Sequence, residues 1–335
     1  MRKLPKDNRT ILITGGAGFI GSNFIPFFLG ENSVLNVVNL DKLTYAGNLD
    51  HLREVESHPR YSFVQGDICD FKITKSIFEE YNISGVINFA AESHVDNSIS
   101  GPLQFIKTNI EGTFNLLETA RLFWKGTTNR FHHISTDEVF GSLGTHGFFN
   151  ENSNYRPNSP YSASKASSDF LVRSYHHTYG MNVVTTNCSN NYGPKQHDEK
   201  LIPTIIRTAI RGKEIPIYGN GKNIRDWLYV SDHCSGINKV FHKGKMGETY
   251  LIGGRNEYNN ITIATKICDI LDVKLPKRHG SYKNQIKFVE DRLGHDFRYA
   301  IDASKISNEL GWKAFENFES GLEQTVDWYL NKYQS

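Results

Sequence analysis

Two hydrophobic patterns alternate along residues 1–190 of the chain. Short runs of β-branched and aromatic residues are each followed by a longer stretch whose apolar residues recur every three or four positions. This alternation is typical of βαβ units and predicts a parallel sheet covered by helices. The predicted strands are Ile11–Thr14, Val37–Leu40, Tyr61–Val64, Val86–Ala90, Phe131–Ser135 and Val183–Asn187.

Two of the helices between these strands are predicted to be long. Apolar residues such as Ile106 and Phe114 recur at helical spacing through residues 103–123, and a second long helix should start near Pro160. Beyond Pro194 the alternation weakens and shorter elements replace the regular units. Helical patterns return near Asp232–Phe241, Ile261–Leu271, Ser304–Leu310 and Phe318–Leu330.

These patterns predict an α/β chain with two unequal lobes. The first is a Rossmann-type doubly wound parallel sheet over residues 1–190, to which parts of 225–245 and the C-terminal helix are expected to return. The second is a smaller mixed α/β lobe over residues 191–335. Ligands of open parallel sheets bind outside the carboxyl ends of the strands, so the first lobe should hold a cofactor and the second mainly a substrate.

Charge and cysteine content narrow the functional classes. Lys+Arg 38 against Asp+Glu 36 leaves a net charge of +2, and no stretch concentrates basic residues, so nucleic acid is not expected as a partner. The four cysteines lack metal-ligand spacing, so no metal site is predicted. No secretory signal or membrane-spanning apolar run is apparent, which favours a cytoplasmic protein with no membrane partner.

A glycine-rich loop connects the first predicted strand to the following helix. Residues 14–21 read Thr-Gly-Gly-Ala-Gly-Phe-Ile-Gly, with the glycines of the dinucleotide fingerprint at Gly15, Gly18 and Gly21. Such a loop lets backbone N–H groups approach a pyrophosphate at the helix N-terminus. Asp41 ends the second strand, about 20 residues further on, where a carboxylate accepts bonds from a ribose diol. The pair predicts NAD rather than NADP.

Asp67 follows the third strand and has two possible roles. It could cap a turn or hold the adenine amine, and the local sequence does not separate them. After the fourth strand, residues 88–92 read Asn-Phe-Ala-Ala-Glu. Their small side chains suit a strand over which a dinucleotide lies flat.

Tyr161 and Lys165 lie one predicted helical turn apart on the same face. A phenol is a poor base at neutral pH, but an adjacent ammonium and a positive nicotinamide would both favour the phenolate. Tyr161 could then take a proton from a sugar hydroxyl. Lys165 could also hold the nicotinamide ribose.

Thr136, Asp137 and Glu138 follow the fifth strand, at the same edge of the predicted sheet. Because side chains alternate along a strand, both carboxylates can face one site only if the strand ends in a loop or short turn there. Two carboxylates over one site repel, which favours one protonated acid and one base. An acid and a base beside a hydride acceptor indicate elimination of water.

With these residues the chain resembles the extended short-chain dehydrogenases, and within them the dTDP-glucose 4,6-dehydratases. The resemblance runs through nearly the whole chain, and Thr136-Asp137-Glu138 is its most informative part because epimerases usually carry other residues there. The motifs that carry it include residues 14–21, Ala-Ala-Glu-Ser-His-Val-Asp at 90–96, Ser-Thr-Asp-Glu-Val-Phe-Gly at 135–141, Tyr-x-x-x-Lys at 161–165, Ser-Asn-Asn-Tyr-Gly-Pro at 189–194 and Arg-Asp-Trp at 225–227.

The resemblance implies two sets of binding residues. NAD would contact Phe19, Ile20, Asp41, Asp67, Ile68, Ala90, Ala91, Thr108, Tyr161, Lys165 and Asn191. The sugar nucleotide would contact Ser93, Thr136, Asn190, Lys200, Leu201, Pro216, Tyr218, Arg225, Asn260, Arg292 and His295. The guanidinium forks of Arg225 and Arg292 suit a diphosphate.

The resemblance also implies a mechanism. Tyr161, assisted by Thr136, accepts the C4 hydroxyl proton as hydride leaves C4; Glu138 removes the C5 proton, and Asp137 protonates the departing C6 hydroxyl. Dehydration of dTDP-glucose would yield dTDP-4-keto-6-deoxyglucose for deoxysugar synthesis, for example of rhamnose. Family members are commonly homodimers joined through two long helices, and residues 103–123 and 160–179 are the matching segments.

The sequence departs from the family pattern at Asn187, where an Arg is common, and at His197-Asp198, which replaces an apolar-Pro pair. The second change leaves UDP- or CDP-glucose open as the substrate. A nucleotide-sugar 4-epimerase would use the same loop and Tyr161 but would not need Asp137 and Glu138. A non-catalytic NAD-binding protein would have no reason to keep the catalytic groups.

Overall fold

The structure is a computed structural model that describes residues 4–5, 8–126 and 128–334. Its strands are β1 (Arg9–Thr14), β2 (Leu35–Asp41), β3 (Tyr61–Gln65), β4 (Ile83–Asn88), β5 (Arg130–Thr136), β6 (Asn182–Cys188), β7 (Asn190–Tyr192), β8 (Ile215–Tyr218), β9 (Ile224–Tyr229), β10 (Thr249–Ile252), β11 (Glu257–Asn259) and β12 (Ile286–Val289).

The α-helices are distributed along the whole chain. They are α1 (Phe19–Glu31), α2 (Arg53–Glu56), α3 (Phe71–Glu80), α4 (Val95–Ser100), α5 (Pro102–Phe105), α6 (Thr113–Phe123), α7 (Pro160–Tyr179), α8 (Leu201–Ile210), α9 (Val230–Lys243), α10 (Asn260–Lys274), α11 (Ser304–Leu310) and α12 (Phe318–Gln334). Short 3₁₀ segments cover Leu49–Leu52, Asp137–Phe140 and Tyr282–Gln285, and a π-helical segment covers Ile106–Gly112.

A seven-stranded parallel sheet forms the larger lobe. Its strand order is β3-β2-β1-β4-β5-β6-β10, so the chain reverses direction across the sheet between β1 and β4. The six predicted strands and the doubly wound arrangement are confirmed. The seventh strand, β10, was not predicted, because a run of four residues carries too little periodicity to be recognised.

Side chains on the two faces of this sheet enter separate hydrophobic clusters. Ile11 and Ile13 of β1 pack with α1 and α9, whereas Leu12 between them packs with α3 and α6. This alternation follows from the pleat of the strand. Helices on both faces therefore leave only the strand ends open to a ligand.

Helix α7 begins and ends with clear sequence signals. Ser159 and Ser162 form a reciprocal capping box, Pro160 occupies the first turn, and Gly180 ends the helix with φ +66°. Each is a known helix boundary device. The other long predicted helix, 103–123, is helical throughout but includes the π-helical segment.

The smaller lobe contains a three-stranded mixed sheet, β11-β9-β7, and a parallel pair, β12-β8. Its core joins α8, α10 and α12, with Trp227 and Phe318 buried between them. The C-terminal helix α12 thus packs in the smaller lobe, contrary to the expectation that it returns to the larger one. The segments that return are α9, β10 and the stretch around Trp312. The boundary at residue 190 stays a prediction.

Several properties of the described part of the chain bear on function. No helix within it is both long and apolar enough to span a bilayer. No group of three or more metal-ligating side chains comes together in it. All four cysteines are free, and Cys188, Cys234 and Cys268 are buried.

Candidate active site

A cleft of about 310 Å³ opens at the carboxyl ends of the central strands, where the sheet changes winding direction. It is bordered by the β1–α1 loop, the ends of β2 to β6 and the first turns of α7. Every residue expected at the cofactor lines it. These residues are Gly15, Gly18, Phe19, Ile20, Gly21, Asp41, Asp67, Ile68, Ala90, Ala91, Thr108, Tyr161, Lys165 and Asn191.

The glycine loop is packed too closely for side chains. Gly15 has φ +70°, and an added Cβ there would lie 2.6 Å from the backbone nitrogen of Ala90. At Gly21 an added Cβ would come within 2.5 Å of the Gly15 carbonyl oxygen. Helix α1 starts directly after Gly18 and has no acidic residue in its first turn. The loop therefore presents a helix N-terminus suited to an anion.

Asp41 is positioned by the backbone around it. Its two carboxylate oxygens accept hydrogen bonds from the N–H groups of Ala17 and Leu43, both at 2.8 Å. Burial raises the pKa of Asp41, and these two bonds act in the opposite direction. Each oxygen retains a lone pair that could accept a bond from a ribose diol.

Asp67 caps a turn, which is one of the two roles that its sequence position allowed. Its carboxylate accepts the Cys69 N–H at 2.9 Å and pairs with the Lys42 ammonium at 2.7 Å. Because Asp67 also lines the cleft, the contact with an adenine amine stays a prediction.

The Tyr161 phenol is buried in the floor of the cleft. Burial, together with the negative charges of Glu138 and Asp137, raises its pKa well above the usual value. Lys165 donates from Nζ to the Ile134 carbonyl oxygen at 2.8 Å, and burial lowers its pKa to about 8. The expectation that Lys165, together with a positive nicotinamide, favours the phenolate stays a prediction.

Thr136 ends β5 and caps the 3₁₀ turn that carries both carboxylates. Its Oγ1 lies 3.3 Å from Asp137 Oδ1 and accepts the Glu138 N–H at 3.3 Å. The predicted short turn is confirmed, and it brings Asp137 and Glu138 to the same cleft.

The two carboxylates differ in their neighbours. Burial raises the pKa of Asp137 well above its usual value, and the negative charges of Glu138 and Asp226 raise it further. Burial also raises the pKa of Glu138, but Arg292 and Arg225 oppose that shift. Asp137 is therefore the better acid at neutral pH, and Glu138 the better base.

The residues expected at the sugar nucleotide are divided between two places. Ser93, Thr136, Asn190 and Lys200 line the cleft itself. The others lie outside its lining, in the smaller lobe and the segment 292–295; they are Leu201, Pro216, Tyr218, Arg225, Asn260, Arg292 and His295. Among these, Leu201 packs against the second core, Asn260 is buried at the start of α10 and Pro216 is exposed on β8.

Asp96 brings two of the outer residues together. Tyr218 donates to one oxygen of Asp96 at 3.3 Å, and Nε of Arg292 lies 3.7 Å from the other. The Tyr218 ring also makes an edge contact with His295. These residues are about 120 or more residues away from Asp96 in the chain, so the sequence could not predict that Asp96 contacts them.

Arg225 is buried on β9. Its guanidinium donates to the Asp296 carbonyl oxygen at 3.0 Å and lies 4.3 Å from the centre of the Tyr299 ring. The charge of Arg225 lowers the pKa of Glu138, although Arg225 itself does not line the cleft.

Comparison with known proteins decides the family. The model of the GDP-mannose 4,6 dehydratase family matches residues 12–325. The dTDP-glucose 4,6-dehydratase of Salmonella typhimurium is 54% identical over 339 residues, which cover 97% of this chain and 93% of that protein. The chain belongs to the dTDP-glucose 4,6-dehydratase family.

Solved structures of this family have the same fold. The dTDP-glucose 4,6-dehydratase from Streptomyces venezuelae, solved with NAD and a dTDP ligand, matches with TM-score 0.90 and 43% identity, over 97% of this chain and 98% of that one. The enzyme from Bacillus anthracis, solved in complex with NAD, matches with TM-score 0.88 and 43% identity over the same shares.

Sequence reasoning missed several cleft residues in this member of the dTDP-glucose 4,6-dehydratase family. Glu199 lies 3.5 Å from His197 Nδ1 and 3.6 Å from His94 Nε2, and it accepts a bond from the Tyr45 hydroxyl at 3.4 Å. These residues lie in or beside loops far apart in sequence. The sequence signals for them were the motif at 90–96, which contains His94, and the unusual His197-Asp198 pair.

Proposed function

We propose that this chain is an NAD-dependent dTDP-glucose 4,6-dehydratase, a hydro-lyase that forms dTDP-4-keto-6-deoxyglucose. One observation carries the proposal: the 3₁₀ turn presents Asp137 and Glu138 to the cleft that also contains Tyr161. A 4-epimerase would need the phenol but not two carboxylates with different protonation preferences. The 54% identity to a dTDP-glucose 4,6-dehydratase supports the same choice.

The described residues fit NAD. Gly15 and Gly21 have no room for a Cβ, so the backbone of the loop is free to approach a pyrophosphate, and Asp41 can accept from the adenosine ribose. When bound, NAD would supply the hydride acceptor for C4 and a positive ring that offsets the effect of the carboxylates on Tyr161. Lys165, which lines the same cleft, would hold the second ribose.

The protein groups then divide the proton transfers. Tyr161 accepts the C4 hydroxyl proton, with Thr136 as a hydrogen-bond partner, and a ketone forms at C4. The ketone acidifies C5, where Glu138 takes the proton. Asp137, kept protonated by its burial and its negative neighbours, donates to the C6 hydroxyl as water leaves. The hydride taken from C4 would return to C6, and Glu138 would give its proton back to C5. The proton that Tyr161 gained replaces, through exchange with solvent, the proton that Asp137 lost, so the net change is loss of one water.

The smaller lobe supplies the nucleotide site in this proposal. The charges of Arg225 and Arg292 both act on Glu138, although Arg225 is buried and Arg292 lies beside Asp96. Two guanidinium groups near a cleft suit the diphosphate of a sugar nucleotide. Ser93, Asn190 and Lys200 line the part of the cleft next to the catalytic turn.

We also propose a cytoplasmic homodimer. Large apolar side chains are exposed on the two long helical segments, among them Leu103, Ile106, Phe114 and Phe170. Exposed apolar side chains on these helices suit burial against a second copy of the chain. The free cysteines suit a reducing compartment.

One assay separates the candidate activities. The purified chain is incubated with dTDP-, UDP- and CDP-glucose, and the products are weighed by mass spectrometry. We expect loss of one water, fastest with dTDP-glucose. Faster loss of water from UDP- or CDP-glucose would show that this nucleotide sugar is the substrate. A product of unchanged mass, identified as the 4-epimer, would show that the chain is an epimerase.

A further inference from the structure

Asp169 is a buried carboxylate that the proposed mechanism does not use. It lies on α7 one turn after Lys165 and two turns after Tyr161, so the three residues share one face of the helix. Its relative exposure is 5%, and it does not line the cleft. A buried carboxylate is costly unless its partners stabilise it, so these partners indicate its purpose.

One oxygen of Asp169 receives three donors. Oδ2 accepts hydrogen bonds from Ser135 Oγ at 2.9 Å, Tyr155 Oη at 2.9 Å and Asn187 Nδ2 at 3.1 Å. Three donors to one oxygen suit an ionised carboxylate. Asn187 Nδ2 also donates to the Thr136 carbonyl oxygen at 3.0 Å, and Ser135 directly precedes Thr136. Asp169 therefore connects α7 to the strand end that carries the catalytic turn.

The other oxygen points towards the catalytic lysine. Oδ1 lies 3.3 Å from His133 Nε2, which is 3.5 Å from Lys165 Nζ. Asn88 donates to Nδ1 of the same ring, because its own oxygen accepts from Thr14. Nδ1 is thus the acceptor, and Nε2 carries the ring proton, which Ser168 Oγ accepts at 3.1 Å. Asp169 Oδ1 makes no hydrogen bond of its own with the residues that the structure describes, so its charge is not used by the ring.

The histidine between them does not neutralise the carboxylate. Burial lowers the pKa of His133 to about 4, so the ring is neutral at pH 7. Burial also lowers the pKa of Lys165, and the charge of Asp169 is the largest influence in the opposite direction. The negative charge of Asp169 is therefore available to Lys165.

We propose that Asp169 is a positioning residue for the dehydratase reaction: its carboxylate is the counter-ion that keeps Lys165 charged, and it fixes the strand end that carries Thr136. This inference rests on the proposed function for its catalytic consequence. The charge state of Lys165 is a property of the protein alone and is measurable without substrate.

The other groups around Lys165 do not supply the same charge. Tyr161 on α7 and Cys188 on β6 both have pKa values raised by burial, so both are neutral at pH 7. His133 on β5 is neutral as well. Asp137 and Glu138 lie beyond Thr136 on the catalytic turn. Asp169 is therefore the acidic residue on α7 that supplies a negative charge to Lys165.

The test compares Asp169→Asn with Tyr155→Phe. The first removes the charge and keeps the shape; the second removes one donor to the same oxygen and keeps the charge. We expect the alkaline limb of kcat/KM for Asp169→Asn to move to lower pH by about one unit. Tyr155→Phe should keep the wild-type limb. An unmoved limb in Asp169→Asn, or an equal shift in Tyr155→Phe, overturns the proposal.

A second readout requires no turnover. The rate of acetylation of Lys165 by acetic anhydride, followed against pH by mass spectrometry of its peptide, reports when the amine loses its proton. Wild-type Lys165 should titrate near pH 8 and Asp169→Asn at lower pH. If Asp169→Asn does not fold, as judged by circular dichroism, the wild-type titration still decides: a lysine that is already neutral at pH 7 contradicts the counter-ion role. This measurement needs no dehydratase activity, so it tests the charge of Lys165 even if the dehydratase assay fails.

Discussion

At the scale of single residues, the same chemical group takes different roles because its neighbours differ. Asp137 and Glu138 are adjacent in sequence, yet the largest charge effect on the pKa of Asp137 comes from a carboxylate and the largest on that of Glu138 from a guanidinium. Protonation preference is thus set by residues from other segments of the chain. This difference leads to a direct kinetic prediction.

Asp137→Asn should separate oxidation from elimination. Oxidation at C4 needs Tyr161 and NAD, whereas departure of the C6 hydroxyl needs a proton donor. Product formation should therefore fall about 100-fold or more while enzyme-bound NADH accumulates. Stopped-flow absorbance of NADH measures this directly.

Two further variants serve as controls for that experiment. Glu138→Gln should lose exchange of the C5 hydrogen with solvent deuterium, and Tyr161→Phe should form neither NADH nor exchanged substrate. Dehydration at the wild-type rate by Asp137→Asn would show that this group is not the acid.

Asp41→Ala should weaken NAD binding by about tenfold or more, since hydrogen bonds to a charged acceptor are worth about 1.5 to 3 kcal/mol. NADP affinity should change less, because a 2′-phosphate gains from removal of the carboxylate. Isothermal titration with both cofactors measures the two constants. An equal loss for both would mean that Asp41 acts only by holding the N–H groups of Ala17 and Leu43.

All the residues expected at the cofactor line the cleft, whereas only Ser93, Thr136, Asn190 and Lys200 of those expected at the substrate do. The glycine loop and Asp41 belong to one βαβ unit, so their spacing in sequence sets their spacing in the fold. Arg225 and Arg292 come from separate segments, and sequence does not report that Arg225 bonds to the Asp296 carbonyl or that Arg292 approaches Asp96. The raised pKa of Tyr161 likewise depends on burial that only the fold reveals.

At the scale of elements, strands and helices with capping or periodic signals were predictable and short ones were not. The capping box of helix α7 and the glycine that ends it can both be recognised in the sequence. The four-residue strand β10 and the π-helical segment Ile106–Gly112 have no comparable signal. Both depend on tertiary packing, which overrides local propensity.

Strand β9 contains a carboxylate whose burial should be visible in the pH dependence of stability. Asp226 has a relative exposure of 1%, and burial raises its pKa from 3.8 to about 6. The folded state thus holds this proton more tightly than the unfolded chain. The resulting stabilisation is complete below about pH 4 and is lost as the pH rises through 6.

Asp226→Asn should therefore stabilise the protein at alkaline pH. The gain is at most about 3 kcal/mol, which is the pKa difference converted to free energy. The Tm of the variant should exceed that of the wild type at pH 8, and the difference should vanish near pH 4. Asp50→Asn, at an exposed site, serves as the matched control for the change from Asp to Asn. An equal Tm difference at both pH values would show that folding does not raise the pKa of Asp226.

At the scale of the whole molecule, the exposed apolar face on the two long helical segments predicts self-association. Replacing Phe114 and Phe170 by Lys should raise the dimer dissociation constant at least about tenfold, because a charge would face an apolar partner. Sedimentation equilibrium gives the constant. Phe315→Lys, at an exposed site away from these helices, should leave it unchanged. A wild-type chain that stays monomeric would disprove the dimer.

The pairing of β10 with β6 has a consequence for how the protein is made. The core around β1 and α1 also takes in Ile252 and Trp312. The larger lobe therefore cannot complete its packing until Trp312 has left the ribosome. Helix α1 is synthesised well before Ile252 and Trp312, so its apolar face lacks part of its cover in the nascent chain until those residues emerge.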